Sequence, residues 1–225
     1  NVLIHTFAAL LLFGVLRRTL LLPRFAGRYT RSASWLAGSI AAMWAVHPVQ
    51  TESVTYIVQR AESMMGMFAL LGLYSCLRGV TRGVRGWWMG VAVLSMVLGM
   101  LSKPVMVVMP MLVLLFDAMF LSDGFGPALR RRWRFYLLLA MTLIIPLVLL
   151  SMPNESSTSA GFGLGRLSSW RYLLSQCDVV VHYLKLCVWP HPLCIDYAWL
   201  PVAGLGAVWC TALSLLVLLG VTLVL

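Results

Sequence analysis

The chain has 225 residues, of which 61% are hydrophobic and only 11% are charged, and its net charge is +10. This composition is typical of polytopic membrane proteins and excludes a soluble globular domain, which would need much more polar surface. The basic excess does not indicate nucleic-acid binding, because most of the arginines are grouped in three short connections between apolar segments, as the positive-inside rule describes.

Apolar segments predict seven transmembrane helices that run alternately inward and outward. They cover residues 1–22, 35–50, 52–79, 86–101, 104–121, 133–152 and 203–225. The arginine-rich connections follow the first, third and fifth segments, so residue 1 is expected outside and these connections inside. Pro146 is expected to kink the sixth helix, because proline cannot donate the hydrogen bond of a helix interior.

Residues 153–170 are rich in Ser and Gly and are predicted to form an outer loop. Residues 171–189 are long enough to span a membrane, but their polar side chains recur at intervals of four and three and form one helical face. A helix with one polar face is favoured to lie in the interface plane. The predicted fold is therefore all-α, a single transmembrane domain over residues 1–225, with an outer loop and an interfacial helix at 153–201.

The run from His47 to Glu52 interrupts two apolar segments and is the first candidate site. A helix over 52–79 would be roughly 42 Å long, whereas the hydrocarbon core is about 30 Å thick. Its first two turns are therefore expected at or above the outer interface. Thr51 is the predicted N-cap residue, and His47 is favoured as a capping or interhelical hydrogen-bonding group over a chemical role.

Several polar side chains of that helix are expected on one side, with Glu62 elsewhere. Arginine binds phosphate well because its planar fork donates two hydrogen bonds at once, and a carboxylate can orient an acceptor or take its proton. A purely structural role for these side chains is equally possible. In that case the helix dipole stabilises the Glu52 carboxylate, and the Arg60 side chain extends to the membrane interface. The residues that share the side are Glu52, Tyr56, Gln59, Arg60 and Ser63.

The second candidate site is Ser102-Lys103-Pro104, which separates two short apolar segments. A lysine at membrane depth is energetically expensive and commonly functional. Lys103 either snorkels to the outer surface or binds a lipid phosphate as a point charge. Asp196-Tyr197, after the interfacial helix, is a weaker third candidate. The spacing of Cys, His, Asp and Glu does not match a metal site, and none is predicted.

Three stretches resemble one known family. Residues 47–60, HPVQTESVTYIVQR, resemble the HPxxxExVxxxxxR stretch of bacterial membrane proteins that carry C-terminal tetratricopeptide repeats. Those proteins are related to the eukaryotic transmembrane-and-tetratricopeptide-repeat O-mannosyltransferases. Residues 102–117 are similar to the family's (S/A)KP…LLLxD segment, and residues 171–197 are similar to a third stretch.

The resemblance implies the C-type glycosyltransferase fold. Such enzymes transfer a sugar, for example mannose, from a polyprenyl-phosphate carrier to a protein or glycan acceptor at the outer membrane face. Arg60 and Lys103 would meet the lipid phosphate, and Glu52 and His47 would line the cavity as assisting groups. The other expected substrate-binding residues are Tyr56, Asp196 and Tyr197.

The chain departs from the family in one respect, because the family carries an acidic pair in an outer loop that precedes the position of Asn1. The chain is therefore expected to be a fragment without the first helix, the principal catalytic base and the repeats, and to be inactive alone. The expected location is a bacterial cytoplasmic membrane, with the endoplasmic reticulum as the alternative. The alternative functions are a transporter or flippase for a lipid-linked glycan and a noncatalytic membrane scaffold.

Overall fold

The computed structural model describes residues 1–81, 85–151, 169–194, 197, 202 and 204–224, and every regular element in them is helical. This confirms the all-α prediction for the described part of the chain. The helices are α1 (Val2–Leu20), α2 (Ala33–Val46), α3 (Thr51–Thr55), α4 (Arg60–Thr81), α5 (Arg85–Ser102), α6 (Met109–Phe116), α7 (Phe125–Thr142), α8 (Ile144–Ser151), α9 (Ser169–Val188) and α10 (Leu205–Val224).

Four helical segments are long and apolar enough, by length and composition, to cross a membrane, which indicates a membrane protein. These are Val2–Leu20, Ile57–Thr81, Pro104–Leu121 and Phe125–Leu149. Three further apolar helices are shorter than a usual span, namely Ala33–Val46, Gly86–Ser102 and Gly206–Thr222. Within the described residues the structure thus supports four spans, fewer than the seven that the apolar segments predict.

The chain divides into two compact units, Asn1–Met152 and Pro153–Leu225. In the first unit, α1 packs against α2 and α4, and α4 packs against α5. Helices α1 and α2 are antiparallel, since His5 Nε2 lies 2.9 Å from the Ala45 carbonyl oxygen and Arg17 Nε donates to Ser34 Oγ over 2.9 Å.

The first unit has two chemically different ends. At one end, Asn1 Nδ2 donates to the Tyr56 carbonyl oxygen over 2.9 Å, and the side chains of Lys103 and Glu62 meet. We call this the polar end; it comprises Asn1, residues 47–60, Glu62 and residues 102–104. At the other end, the guanidinium of Arg78 lies 5.7 Å from the centre of the Tyr74 ring, and that of Arg18 lies 5.2 Å from it. We call this the basic end.

The core of the first unit lies between α4, α5, α6 and α7. It contains nine buried side chains of these helices and of the 3-10 turn Pro104–Val108, including Met96, Met100, Met106 and Leu139. Methionine suits such a core because its unbranched chain fills irregular gaps. The Met-rich segments of the sequence are therefore packing elements, and they position the charged side chains at both ends.

The predicted continuous helix over 52–79 is wrong at its beginning. Helix α3 ends at Thr55, Tyr56 is extended with φ −86° and ψ 115°, and a 3-10 turn over Ile57–Gln59 leads into α4. Five consecutive β-branched or aromatic residues, 54–58, lie across this break, and such residues lose side-chain freedom in a helix. The predicted N-cap at Thr51 is also wrong, because Thr51 is the first residue of α3.

The sixth predicted helix, over residues 133–152, differs from the structure in its first residue and in its continuity. Helix α7 begins at Phe125, so the cluster of four arginines lies within a helix rather than in a loop. The interruption expected from Pro146 occurs at Leu143, between α7 and α8. This displacement has a simple cause, because a proline leaves the carbonyl four residues earlier, that of Thr142, without its helical donor.

In the second unit, α9 packs against α10. The Thr211 hydroxyl donates to Asp178 Oδ1 over 2.7 Å, and Ser175 Oγ accepts from the Val202 amide over 3.2 Å. Two members of the predicted polar face of α9 thus bond to residues 202–211 of the same unit. Leu174 and Leu186 of α9 are buried. That α9 lies in a membrane interface remains a prediction.

Candidate functional site at the polar end

Lys103 lies where α5 gives way to a 3-10 turn over Pro104–Val108. Its backbone is extended, with φ −155° and ψ 130°, as a following proline requires. Lys103 Nζ donates to Glu62 Oε2 and forms an ion pair in which the two side chains are 38% and 35% exposed. A pair this open to solvent contributes less than about 1 kcal/mol, so a competing anion can replace the carboxylate at low cost.

Glu62 is thus the acid that meets the lysine, although the sequence analysis set it apart from the candidate face. Glu52 instead accepts a hydrogen bond at Oε1 from Gln59 Nε2 over 2.9 Å, and both ends of this contact are accessible. The prediction assumed an unbroken helix, in which residues 52 and 59 lie two turns apart on one face. The break at Tyr56 brings these two side chains together directly.

Arg60 is the first residue of α4 and its side chain is exposed. Among the residues that the structure describes, its guanidinium forms no salt bridge. A positive side chain at a helix N-terminus is not stabilised by the helix dipole, whereas an anion bound there is. The exposed guanidinium of Arg60 is therefore a donor to which an incoming anion has access, whereas the backbone amide of Arg60 already donates to the Ile57 carbonyl.

His47 and Tyr56 have different environments at this end. His47 Nδ1 accepts from the Val49 amide over 3.3 Å and so caps the 3-10 turn Pro48–Gln50, which confirms the predicted capping role. Tyr56 is 49% exposed, while its backbone carbonyl accepts the bond from Asn1. The phenol of Tyr56 is thus accessible to a ligand, and the His47 ring supports the turn.

Of the third candidate site, Asp196-Tyr197, the structure describes only Tyr197, which has a structural role. Asp196 lies outside the described residues. The Tyr197 hydroxyl donates to the Pro192 carbonyl over 2.9 Å and accepts from the Cys194 amide over 3.1 Å. Its ring meets the edge of His182 with centroids 4.6 Å apart. Tyr197 thus stabilises the turn that follows α9 in the second unit.

The polar end unites most of the predicted site residues, but not in the predicted pairs. His47, Glu52, Tyr56, Arg60 and Lys103 all lie in its segments. Lys103 is joined to Glu62, and Glu52 to Gln59, so Glu52 and Lys103 have different partners. Arg60 and, after release of Glu62, Lys103 are cationic groups of this end that can bind anions.

A second charged cluster lies at the basic end; the sequence placed Asp117 near the arginine cluster at the inner surface but did not show which arginine it pairs with. Arg132 Nη1 lies 2.5 Å from Oδ1 and 2.6 Å from Oδ2 of Asp117, and Tyr136 Oη donates to Oδ2 over 2.5 Å. Ser122 Oγ donates to Asp117 Oδ1 over 2.9 Å. Asp117 is fully buried and Arg132 is 8% exposed. The sequence feature that could have revealed this cluster is Asp117 at the end of an apolar run, because an acid within a membrane segment usually pairs with a cationic side chain.

No group of three or more His, Cys, Asp or Glu side chains that could hold a metal ion occurs among the described residues. Neither a family model, nor a curated protein, nor a solved structure matches this chain. The family resemblance of the three sequence stretches therefore remains a prediction.

Proposed function

We propose that this chain is part of a membrane glycosyltransferase that takes a sugar from a polyprenyl-phosphate carrier and transfers it to a protein or glycan acceptor at the polar end. The observation that carries the proposal is the presence of two cationic side chains at one end of the apolar unit, exposed Arg60 and Lys103, whose ion pair with Glu62 is partly open to solvent. A lipid phosphate needs cations at the level of the membrane surface and apolar helices below them for its chain.

In the proposed reaction, the bond between the anomeric carbon of the sugar and the phosphate oxygen breaks, and a bond from that carbon to the acceptor oxygen forms. The polyprenyl phosphate leaves with the bonding electron pair, and the acceptor proton passes to a base. Arg60 and Lys103 stabilise the phosphate as its charge increases. The resemblance assigns the principal base to residues outside this chain, so Glu52 and His47 are assisting groups that orient the acceptor.

Glu62 has a specific role in this proposal. In the absence of donor it neutralises Lys103, and the donor phosphate must replace it to reach the ammonium group. Glu62 thus competes with the ligand for the same cation. Because the pair is exposed and weak, exchange of one anion for another costs little.

The proposed fold is the C-type glycosyltransferase arrangement with seven spans. It counts the three shorter apolar helices as spans in addition to the four long ones. Helices α2 and α5 pack along the long helices α1 and α4, which supports their inclusion. A short helix can be accommodated by local thinning of the bilayer.

The proposal is tested by the affinity of the chain, in lipid nanodiscs, for a polyprenyl phosphate. Arg60→Gln and Lys103→Gln should each weaken binding by about tenfold or more, since each removes a charge-assisted hydrogen bond. Glu62→Gln should strengthen binding, because it frees Lys103. Arg31→Gln, which removes an exposed arginine from the connection between α1 and α2, is the matched control and should leave the affinity unchanged.

The opposite signs expected for Glu62 and Lys103 separate a ligand site from a structural ion pair. If the pair only stabilises the fold, both substitutions should lower the free energy of unfolding slightly and neither should change the affinity. Equal affinity in Arg60→Gln, Glu62→Gln and the unsubstituted chain would refute the proposal. A transporter or scaffold would be indicated if binding follows these predictions but the complete protein transfers no sugar.

A further inference from the structure

We propose that a groove between α1 and α4, near the basic end, binds one anionic phospholipid, with its phosphate on Arg17 and Arg18 and one acyl chain along the apolar side of α1. The groove is a cavity of about 290 Å³. It lies at the opposite end of the unit from the proposed sugar-transfer site and does not depend on that proposal.

The groove exists because Gly14 allows a tyrosine of α4 to lie directly on the backbone of α1. A Cβ atom added at Gly14 would lie 2.7 Å from Cε2 of Tyr74, which is too close for two carbon atoms. The Tyr74 ring thus forms one wall of the groove. The side chains of Phe7, Leu10 and Leu11, which lie on the same helix as Gly14, form the apolar wall.

Two arginines close the groove at its basic end. Arg17 and Arg18 both line the cavity, and no acidic side chain is among its lining residues. Arg17 donates through Nε to Ser34 and keeps its terminal nitrogens for another acceptor. The Arg18 guanidinium lies 5.2 Å from the centre of the Tyr74 ring. A cation–π contact of this kind holds the charged group beside the ring.

A third arginine strengthens the positive field behind this pair. Arg78 Nη1 donates to the Tyr74 hydroxyl over 3.2 Å, and its guanidinium lies 4.3 Å from the Trp88 ring centre. Arg78 Nε is buried and has no hydrogen-bond partner within the described residues. The charge of three arginines beside Tyr74 is therefore unbalanced by any carboxylate of the cavity, and an anion is the complementary ligand.

The apolar part of the groove identifies the anion as a lipid rather than a soluble phosphate. Phe7 and Leu10 are each 60% exposed, so the apolar wall continues from the cavity onto the outer surface of α1. An acyl chain that follows this wall leads directly to the two arginines. A glycerophospholipid has this combination, a long apolar chain with a phosphate at its end, and zwitterionic lipids lack the net negative charge.

The test measures lipids that remain bound to the purified chain in native mass spectrometry after equilibration with equimolar phosphatidylglycerol and phosphatidylcholine. We expect one retained phosphatidylglycerol. Its dissociation constant should rise by about tenfold or more in Arg17→Gln/Arg18→Gln, which removes the charge-assisted contacts. The matched control Arg28→Gln/Arg31→Gln removes the same charge from the adjacent connection between α1 and α2. These two arginines line no part of the groove, so the control variant should retain the lipid.

A steric pair of variants tests the acyl part independently of charge. Leu10→Trp should block the apolar wall and release the lipid, whereas Leu3→Trp, at a position 74% exposed on the same helix, should not. Both positions are accessible, so either variant should fold. Soluble glycerol phosphate added in excess should not displace the bound lipid.

Two results would overturn the inference. If both double arginine variants lose phosphatidylglycerol equally, the attraction is a general surface effect of positive charge. If Leu10→Trp and Leu3→Trp both retain the lipid, or if glycerol phosphate displaces it, the apolar wall does not hold an acyl chain.

Discussion

The carboxylate of Asp117 is completely enclosed and accepts hydrogen bonds from Arg132, Ser122 and Tyr136. These bonds explain two irregularities of the backbone. A π-helical turn begins at Asp117, and Arg132 has φ −131° and ψ 29° inside α7. A π-helical turn changes the direction of the side chains that follow it. Here the side chains of Arg132, Ser122 and Tyr136 all donate to the Asp117 carboxylate.

Removal of either partner of this buried pair should be strongly destabilising. Asp117→Asn leaves the Arg132 charge without a counterion, and Arg132→Gln leaves the carboxylate without one. Each should lower the free energy of unfolding by about 3–5 kcal/mol. The measurement is reversible unfolding of the purified chain in mixed micelles, followed by circular dichroism.

Asp123→Asn provides the matched control for this measurement. Asp123 is exposed, so the same chemical change there should alter the free energy of unfolding by less than about 0.5 kcal/mol. The double variant Asp117→Asn/Arg132→Gln should cost less than the sum of the two single changes, because the two side chains contact each other. Equal stability of Asp117→Asn and Asp123→Asn would contradict the assigned role.

Single side chains were predicted correctly where the sequence fixes a local contact. The capping role of His47 needs only the residues that follow it, and it was found. The partner of Lys103 lies forty-one residues away along the chain, and helical periodicity carries no information about contacts between helices. Arg132 belongs to the arginine-rich connection that follows the fifth apolar segment, and a run of arginines does not show which one turns inward.

Helix α5 ends where a methionine of the next turn packs against its backbone. A Cβ atom added at Gly99 would lie 2.7 Å from Cε, 3.0 Å from Cγ and 3.1 Å from Sδ of Met106. Met106 is itself 1% exposed and belongs to the core. This close approach fixes the turn from α5 to the following segment and hence the position of Lys103 at the polar end.

Gly99→Ala should therefore destabilise the chain by about 1–3 kcal/mol, since overpacking forces a buried neighbour to move. Gly90→Ala in the same helix is the matched control. No atom lies within 4 Å of a Cβ added there, and replacing a helical glycine by alanine in open space stabilises a helix by about 0.5–1 kcal/mol. Unfolding in mixed micelles should show changes of opposite sign. A stabilising effect at both positions would show that Met106 does not pack closely on Gly99.

The sequence predicted where the helices lie better than it predicted where they are interrupted. Each of the seven apolar segments predicted from the sequence overlaps an observed helix. The break at Tyr56 and the early start of α7 were not foreseen, whereas the kink expected from Pro146 is found at Leu143. Hydropathy averages over a window of residues and so detects length and burial, whereas a break depends on a few local groups, such as the β-branched run before α4 or Pro146.

The first unit as a whole separates two kinds of charged surface by a core of apolar and Met-rich helices. The polar end has one weak, partly exposed ion pair, Lys103–Glu62. The basic end combines arginines in contact with aromatic rings and one buried ion pair, Asp117–Arg132. The sequence predicted this separation from the distribution of charge, because loops and helix ends can be counted without coordinates. It did not predict which charges pair, and the proposed function depends on that pairing.

The central claim is that the polar end holds the phosphate of a lipid-linked sugar donor. The most direct measurement is photo-crosslinking with a polyprenyl-phosphate sugar whose first isoprene unit carries a photoreactive group, followed by peptide mapping of the chain in lipid vesicles. We predict crosslinks within residues 47–60 and 103–108, which are reduced in Arg60→Gln and increased in Glu62→Gln. Crosslinks confined to residues 14–34, 74–81 and 85–88 of the basic end, or a yield that does not respond to either substitution, would contradict the account.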